Sequence, residues 1–227
     1  MNTPSAVAIP GTGGRPPRLA VLLSGSGSTL QNLVDQIQRG DLRAQIELVI
    51  ASRPDAFGLV RAQQAGLRSQ VVARRAFPSE DAFNDALHAT LEPLDVDLVI
   101  LAGFLSRFQL RGRYQYRVLN VHPALIPAFC GRGFYGLHVH RAVLAAGVKV
   151  TGCTVHFADD EYDHGPIIFQ ECVPVLDDDT PETLASRVQA VERRLYPAAI
   201  RLWAEGRLEV RGQRVVVLPE RPYESPR

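Results

Sequence analysis

The segment Leu119-Asn120-Val121-His122-Pro123 carries the residue pair best suited to chemistry in this sequence. Residues two apart in an extended strand point to the same face, so Asn120 and His122 project together. Pro123 ends the apolar run at its carboxyl end, the edge at which open α/β sheets bind ligands. An amide beside an imidazole can donate hydrogen bonds to a developing oxyanion. The pair therefore indicates chemistry at a carbonyl; the alternative is two polar residues that are simply satisfied at a strand end.

An acidic turn, Asp159 to Pro166 (DDEYDHGP), separates two predicted strands. Neighbouring carboxylates repel one another and most often form a solvated turn. One of them could instead lie against His122, orient the ring and raise its pKa by stabilising the imidazolium. Asp163 is the preferred candidate because the Gly and Pro that follow it fix the backbone and give its side chain a defined direction. His156, two residues after Thr154 in the preceding strand, could approach the same place.

Two glycine-containing segments suggest loops that approach a ligand. Residues Ser24 to Thr29 (SGSGST) lie between a buried strand and an amphipathic helix, where backbone N–H groups can face an anion. This context predicts a phosphate cradle; the alternative is a tight turn that binds nothing. The cradle lacks the Lys of a P-loop, and Leu30 stands where a dinucleotide fingerprint needs its third Gly. The GxGxxG at 131–136 follows a proline-bounded segment, not a strand, so it predicts only a loop.

An alternating α/β scaffold is needed to bring these segments together. Short apolar runs alternate with amphipathic stretches, which is the pattern of parallel strands joined by helices. The predicted strands are 19–23, 46–51, 70–73, 98–101 and 118–121, with hairpins at 149–176 and 208–218. Ser79 and Thr180 are predicted to cap helices, and Pro197 to kink or restart the last one. We therefore predict one α/β domain over 18–218 with an open, mostly parallel sheet, a disordered tail over 1–17 and a loose tail over 219–227.

Composition narrows the class of protein. The chain has 227 residues, with 25 Lys and Arg against 24 Asp and Glu, so no long-range field favours nucleic acid or an anionic membrane. No apolar run is long enough to predict a transmembrane helix. Three cysteines without a CxxC pair indicate a reduced compartment and argue against a structural zinc site. The expectation is a cytoplasmic protein without a metal.

Four segments in order resemble the phosphoribosylglycinamide formyltransferase family of purine biosynthesis. They are SGSGSTLQ at 24–31, ILAGF at 100–104, LNVHPALIP at 119–127 and DEYDHGPII at 160–168. The resemblance extends from about Arg18 to Leu208. It implies a single Rossmann-like α/β domain with flanking helices, in which Asn120, His122 and Asp163 form the catalytic group.

The resemblance also implies two sets of binding residues. A ribonucleotide would contact Gly27, Ser28 and Thr29 through its phosphate, and further contacts would come from Arg187, Gln189 and Glu192. A folate would lie against Leu105, Ser106, Arg107 and Phe108, with Asp159 and Asp160 beside it. The chain departs from the family in three places: Thr29 replaces a frequent Asn, Ser106 a frequent basic or large residue, and Glu80 a folate-contacting Arg of some members. The stretch 132–136 resembles an insertion near the rim of the site.

The implied reaction moves a formyl group from 10-formyltetrahydrofolate to the amino group of glycinamide ribonucleotide. The implied partners are these small molecules, with no metal, NAD, nucleic acid or membrane, and the protein would be a monomer or homodimer. Hydrolysis of formyl-tetrahydrofolate is the alternative on the same fold, although such enzymes carry an additional N-terminal regulatory domain and only a short tail precedes the first predicted strand. A non-catalytic nucleotide-binding module is the second alternative, and it would not need Asn120, His122 and Asp163 together.

Overall fold

The most apolar runs of the sequence form the centre of one ten-stranded sheet in the computed structural model, which describes residues 6–220. The strands are β1 (Ala6–Ala8), β2 (Arg18–Leu23), β3 (Gln45–Ala51), β4 (Ser69–Val71), β5 (Leu98–Leu101), β6 (Val118–His122), β7 (Val150–Phe157), β8 (Ile167–Pro174), β9 (Leu208–Arg211) and β10 (Arg214–Val217). The helices are α1 (Ser28–Gln38), α2 (Gly58–Gln64), α3 (Glu80–Leu91), α4 (Leu137–Ala145) and α5 (Pro181–Ala204), and a short 3-10 turn covers Arg74–Ala76.

The sheet has the spatial order β1-β9-β10-β8-β7-β6-β5-β2-β3-β4. Strands β4, β3, β2, β5 and β6 run parallel to one another, whereas β7 pairs antiparallel with both β6 and β8. The predicted open, mostly parallel α/β sheet is therefore confirmed. Its carboxyl edge brings together the end of β2, the end of β5 and the end of β6, which are the three places where the sequence predicts function.

Helices cover both faces of the sheet because the central strands are apolar on both sides. Leu19, Val21 and Leu23 of β2 pack into a core with α1 and α5, while Ala20 and Leu22 pack into a second core with α3. This alternation follows the two-residue period of a strand. The layered arrangement fixes β2, β5 and β6 rigidly beneath the loops at their carboxyl ends.

The predicted helix caps are present in the structure. The Ser79 hydroxyl accepts a hydrogen bond from the Ala82 N–H at 3.1 Å, and Thr180 forms a capping box with Thr183. Helix α5 does not restart at Pro197 but continues to Ala204. Pro197 has no N–H, so it cannot donate to the carbonyl of Arg193 four residues earlier. That carbonyl instead accepts a hydrogen bond from Asn32 Nδ2 of α1 at 3.1 Å. Packing against α1 thus satisfies the group that the proline leaves free.

The prediction of a disordered tail over residues 1–17 is wrong for the residues that the structure describes. Ala6–Ala8 forms β1 and pairs with β9, and Ile9 is buried. The Thr12 N–H also donates to the Ala204 carbonyl at 2.8 Å. A short apolar run can pair with the otherwise open edge of β9, but the surrounding Pro and Gly residues hide this signal in the sequence. Residues 1–5 and 221–227, with most of the predicted C-terminal tail, lie outside the described residues.

Tyr196 of α5 is fully buried, and its hydroxyl lies 3.0 Å from the Leu101 carbonyl of β5 and 2.7 Å from the Leu119 carbonyl of β6. We expect Tyr196→Phe to lower the free energy of unfolding by about 1 to 2 kcal/mol, because it removes a buried hydrogen bond to the main chain of the central strands. Urea denaturation at constant slope would measure this change. An unchanged midpoint would mean that these two carbonyls do not depend on the hydroxyl.

Candidate active site

Strand β6 presents Asn120 and His122 at the carboxyl edge of the sheet. Because β6 pairs antiparallel with β7, Asn120 lies opposite His156 and His122 lies opposite Thr154. Asn120, His122 and His156 all line one cavity of about 650 Å³. Asp163, from the turn between β7 and β8, lines the same cavity. The structure therefore brings together the three residues for which the sequence predicted catalysis, and His156 lies beside them, as its position after Thr154 suggested.

The amide of Asn120 is held by two neighbours. Its Nδ2 donates to Asp163 Oδ1 at 3.1 Å and lies 3.1 Å from Nε2 of His156. The Nδ1 of His156 lies 2.8 Å from the carbonyl of Phe157, which can only accept, so Nδ1 carries a proton. With the proton on Nδ1, Nε2 of His156 can accept from the Asn120 amide. This arrangement fixes which end of Asn120 carries the donors.

Asp163 is the carboxylate of the acidic turn that lies beside His122. Its Oδ2 accepts the Gly131 N–H at 2.9 Å and lies 3.4 Å from Nδ1 of His122. Burial by itself would raise the pKa of Asp163, but the His156 and His122 rings and the Gly131 N–H lower it below its usual range. The backbone of Asp163 has a φ of 53°, a left-handed conformation that Asp adopts more readily than most residues. An ionised carboxylate is therefore held in one orientation at the site.

The ring of His122 is buried, and both of its nitrogens have neighbours. Nε2 lies 2.8 Å from the carbonyl of Phe129, so it donates to that carbonyl and leaves Nδ1 facing Asp163. Burial lowers the pKa of His122 below its usual value, and the charge of Asp163 acts in the opposite direction. Asp163 thus raises the pKa of His122 as expected, and the net direction is downward because burial has the larger effect.

Two other acidic residues of the turn, Asp159 and Asp160, form hydrogen bonds that hold its backbone. Asp159 accepts the Glu161 N–H at 2.9 Å and pairs with His164 at 2.7 Å, which raises the pKa of His164. Asp159 also lines the cavity. Asp160 Oδ1 accepts the Leu110 N–H at 3.0 Å, and Asp160 does not line the cavity. The structure therefore does not support a direct folate contact through the carboxylate of Asp160, which instead fastens the turn.

The start of α1 forms one end of the cavity, where Ser28 and Thr29 line the wall. Gly27 has a φ of 70°, and α1 has no side-chain cap, so N–H groups of its first turn are available to an anion. Gly27 itself does not line the cavity. A Cβ there would lie 2.5 Å from the Cα of Gly58, so Gly27 is needed to pack the start of α1 against α2. Substituting Gly27 would therefore disturb folding and is a poor probe of binding.

Helix α5 contributes Gln189 and Glu192 to the cavity but not Arg187. Glu192 accepts a hydrogen bond from the Thr29 hydroxyl, and burial raises the pKa of its carboxyl group. Arg187 makes two hydrogen bonds to Asp179, at 2.7 and 2.8 Å, which hold the pKa of that carboxyl far below its usual range. The predicted substrate contact of Arg187 is therefore not supported, because its guanidinium is committed to Asp179.

Residues Leu105 to Phe108 form another part of the cavity wall. The Leu105 N–H donates to the hydroxyl of Ser24 at 2.9 Å, which ties this segment to the start of the glycine-serine loop. Arg107 forms an ion pair with Glu80 and donates to the Asp160 carbonyl at 3.0 Å. Glu80, which departs from the family pattern, thus has a partner within the same wall.

Backbone groups of the loop after β6 complete the site, and sequence reasoning missed their role. The carbonyl of Phe129 holds His122, and the N–H of Gly131 holds Asp163. Residues 131–136 line the cavity, so the GxGxxG segment is a loop as predicted and also part of the rim. Main-chain groups have no side-chain signature, and only the unusual density of glycine marks this loop in the sequence.

The described residues contain neither a metal-binding cluster nor a membrane-spanning helix. No cluster of three or more His, Cys, Asp or Glu side chains in 6–220 has an arrangement that could hold a metal ion. In the same range, no helix has both the length and the apolar character needed to cross a bilayer.

Known proteins resemble this chain over most of its length. The formyl transferase family matches residues 17–200. The phosphoribosylglycinamide formyltransferase of Escherichia coli is 37% identical over 194 residues, covering 85% of this chain and 89% of that protein. The trifunctional purine biosynthetic protein adenosine-3 of Gallus gallus is 40% identical over 195 residues, but the chain spans only 19% of its length. The crystal structure of glycinamide ribonucleotide transformylase 1 from Symbiobacterium toebii superposes with a TM-score of 0.85 at 45% identity, covering 91% of this chain and 96% of that one.

Proposed function

The chain belongs to the formyl transferase family, and we propose that it transfers the formyl group of 10-formyltetrahydrofolate to the amino group of glycinamide ribonucleotide in purine biosynthesis. One observation carries this proposal: Asn120, His122 and Asp163 meet in a single cavity between the start of α1 and the segment Leu105 to Phe108. We assign the nucleotide phosphate to the start of α1 and the ring system of the folate to the segment Leu105 to Phe108.

The reaction needs stabilisation of a tetrahedral oxyanion. The substrate amine attacks the formyl carbon, a C–N bond forms, and the carbonyl oxygen becomes negative. When this intermediate collapses, the bond to the folate nitrogen breaks and the proton lost by the amine goes to that nitrogen. Asn120 and His122 donate N–H groups that now point to Asp163, His156 and Phe129. An oxyanion is a stronger acceptor than the Nε2 of His156 or the Phe129 carbonyl and takes the place of one of them.

Asp163 is proposed to accept the proton of the amine and to return it to the folate nitrogen. Its carboxylate is ionised and lies beside His122, so it can accept the proton of the attacking amine directly, through His122 or through a water. It also stabilises the imidazolium form of His122, which is the better donor to an oxyanion. The same group can then return the proton to the departing folate nitrogen.

We place the ribonucleotide phosphate at the start of α1, with Gln189 and Glu192 as further contacts. Ser28→Ala is expected to raise the KM for glycinamide ribonucleotide about tenfold, because a hydrogen bond to a charged group is worth about 1.5 to 3 kcal/mol. Steady-state kinetics with each substrate varied in turn would measure this. Ser106→Ala is the matched control: it removes the same hydroxyl at the folate end and should leave this KM within about twofold. Equal effects of the two variants on this KM would contradict the placement.

We assign the catalytic unit to 18–218, working as a monomer or homodimer on two small molecules without a metal or NAD. Leu105 to Phe108 would form the folate wall together with Asp159. A cytoplasmic location is supported by the three free cysteines, Cys130, Cys153 and Cys172.

The proposal is tested with purified protein by following the loss of formyl-tetrahydrofolate with and without glycinamide ribonucleotide. We expect turnover that requires the ribonucleotide and forms its formylated product. Release of formate without the ribonucleotide would favour the hydrolase. Binding of either ligand without any turnover would favour a non-catalytic nucleotide-binding module.

A further inference from the structure

Asn84 of α3 is a fully buried amide side chain outside the machinery described above. Its Nδ2 donates to the carbonyls of Glu80 at 3.0 Å and Arg107 at 3.2 Å. Its Oδ1 accepts the N–H of Gln109 at 2.8 Å. Both N–H groups and the oxygen of the amide are therefore used, which makes Asn84 a fully satisfied buried link between α3 and the segment that follows β5.

Two of the three main-chain partners of Asn84 lie on either side of Phe108. The carbonyl of Arg107 and the N–H of Gln109 are the groups that a neighbouring strand would pair with, and the side-chain amide takes that place. Residues 104–110 belong to no helix or strand, so this segment has no regular pairing of its own. The position of its backbone therefore depends on individual side-chain contacts such as this one.

Further contacts hold the same wall at both ends. The ring of Phe108 is buried and stacks on His88 of α3, with centroids 5.2 Å apart, and His88 Nε2 lies 2.8 Å from the Gln109 carbonyl. At the other end, the Leu105 N–H donates to Ser24. Between these two anchors, Leu105 to Phe108 face the cavity. A shift at the Asn84 end would move this wall relative to Asn120 and His122.

We propose that Asn84 is a positioning residue for the folate substrate: by binding the backbone on both sides of Phe108, it sets where the wall Leu105 to Phe108 stands in the cavity. The inference rests on the proposed function, since it requires that this wall contacts the folate. Asn84 does not itself line the cavity, and its hydrogen bonds reach only α3 and the segment around Phe108, not Ser28 or Glu192. Its loss should therefore affect one substrate and not the other.

The test compares KM values for both substrates in two variants of Asn84. Asn84→Leu removes all three hydrogen bonds and is expected to raise the KM for formyl-tetrahydrofolate about tenfold, because two buried main-chain groups lose their partner. The KM for glycinamide ribonucleotide should stay within about twofold of wild type. Asn84→Ala removes the same three hydrogen bonds without adding bulk or a buried charge, so its folate KM should rise by a similar factor, and it replaces the Leu variant should that variant not fold.

Gln109→Ala is the matched control. It removes the hydrogen bond from Gln109 Nε2 to Asp81 Oδ1 at 2.7 Å, which also joins the segment to α3, but it leaves the backbone N–H that Asn84 binds. We expect wild-type KM values for this variant. Binding of a non-reactive deaza analogue of formyl-tetrahydrofolate, measured by calorimetry, should weaken in the Asn84 variants by the same factor as the KM rises.

An unchanged folate KM in a folded Asn84 variant would overturn the inference. So would an equal rise in both KM values, since that would indicate a general loss of structure. These results differ from a failure of the proposed function, in which the wild-type protein itself would neither bind the folate analogue nor formylate the ribonucleotide. That result would remove the basis of both proposals.

Discussion

Asn120→Ala is expected to lower turnover by about two to three decades, because each donor to an oxyanion is typically worth about 2.7 to 4 kcal/mol. The variant loses the amide that Asp163 and His156 hold in place. KM values for both substrates should change by less than about threefold, since the interaction is made in the transition state and not in the ground state. Steady-state kinetics separate the two effects, and His122→Ala should behave in the same way.

Asn32→Ala provides the control for the loss of an amide. Asn32 donates to the Arg193 carbonyl on the outer side of α1 and does not line the cavity. Its variant should keep wild-type turnover. Turnover close to wild type in Asn120→Ala or His122→Ala would exclude the proposed oxyanion role for that residue.

Asp163→Asn is expected to lower turnover by about two to four decades, the range that general acid and base catalysis contributes. The variant should also change the pH profile. Asp163 raises the pKa of His122 against the effect of burial, so its neutralisation lets that pKa fall further. The protonated fraction of His122 is lost as the pH rises through this pKa, and the falling limb of the profile should therefore move to lower pH. Rates measured across the pH range would detect the shift.

Asp160→Asn is the matched variant from the same turn. An Asn at 160 still offers an oxygen to the Leu110 N–H, so the turn should stay in place. We expect neither a large loss of rate nor a shifted profile. If Asp160→Asn is the crippled variant instead, Asp163 is the wrong carboxylate, although the reaction class can stand.

Local signals explain why much of the fold could be predicted from the sequence. Apolar runs such as 98–101 become buried strands with the predicted bounds, and Ser79 and Thr180 cap helices because their hydroxyls act within one turn. Strand β1 and helix α4 could not be predicted in this way. The first depends on pairing with a distant strand, and the second is a short helix that follows a glycine-rich loop.

The candidate site likewise has features that local sequence signals predict and features that they do not. Asn120 and His122 share a face because of strand geometry, and this could be read from their spacing. The roles of the Phe129 carbonyl and the Gly131 N–H could not be predicted, because every residue type has these main-chain groups and the sequence does not mark them. The structure pairs Arg187 with Asp179 and does not place it in the cavity. The sequence contains a sign of this pairing, because Asp179 stands eight positions earlier, directly before Thr180, the N-cap of α5.

The pairing of β1 with β9 has a consequence for how the protein folds during synthesis. Strand β1 is made before its partner, because it pairs with residues 209–211, which lie about two hundred residues further along the chain. The parallel strands β2 to β6 and their helices can assemble on the nascent chain, whereas β1 must wait for a partner about two hundred residues downstream. The β1 segment therefore stays unpaired and open to proteases and chaperones while the intervening residues are made, and this edge of the sheet closes only after the β9–β10 hairpin has emerged.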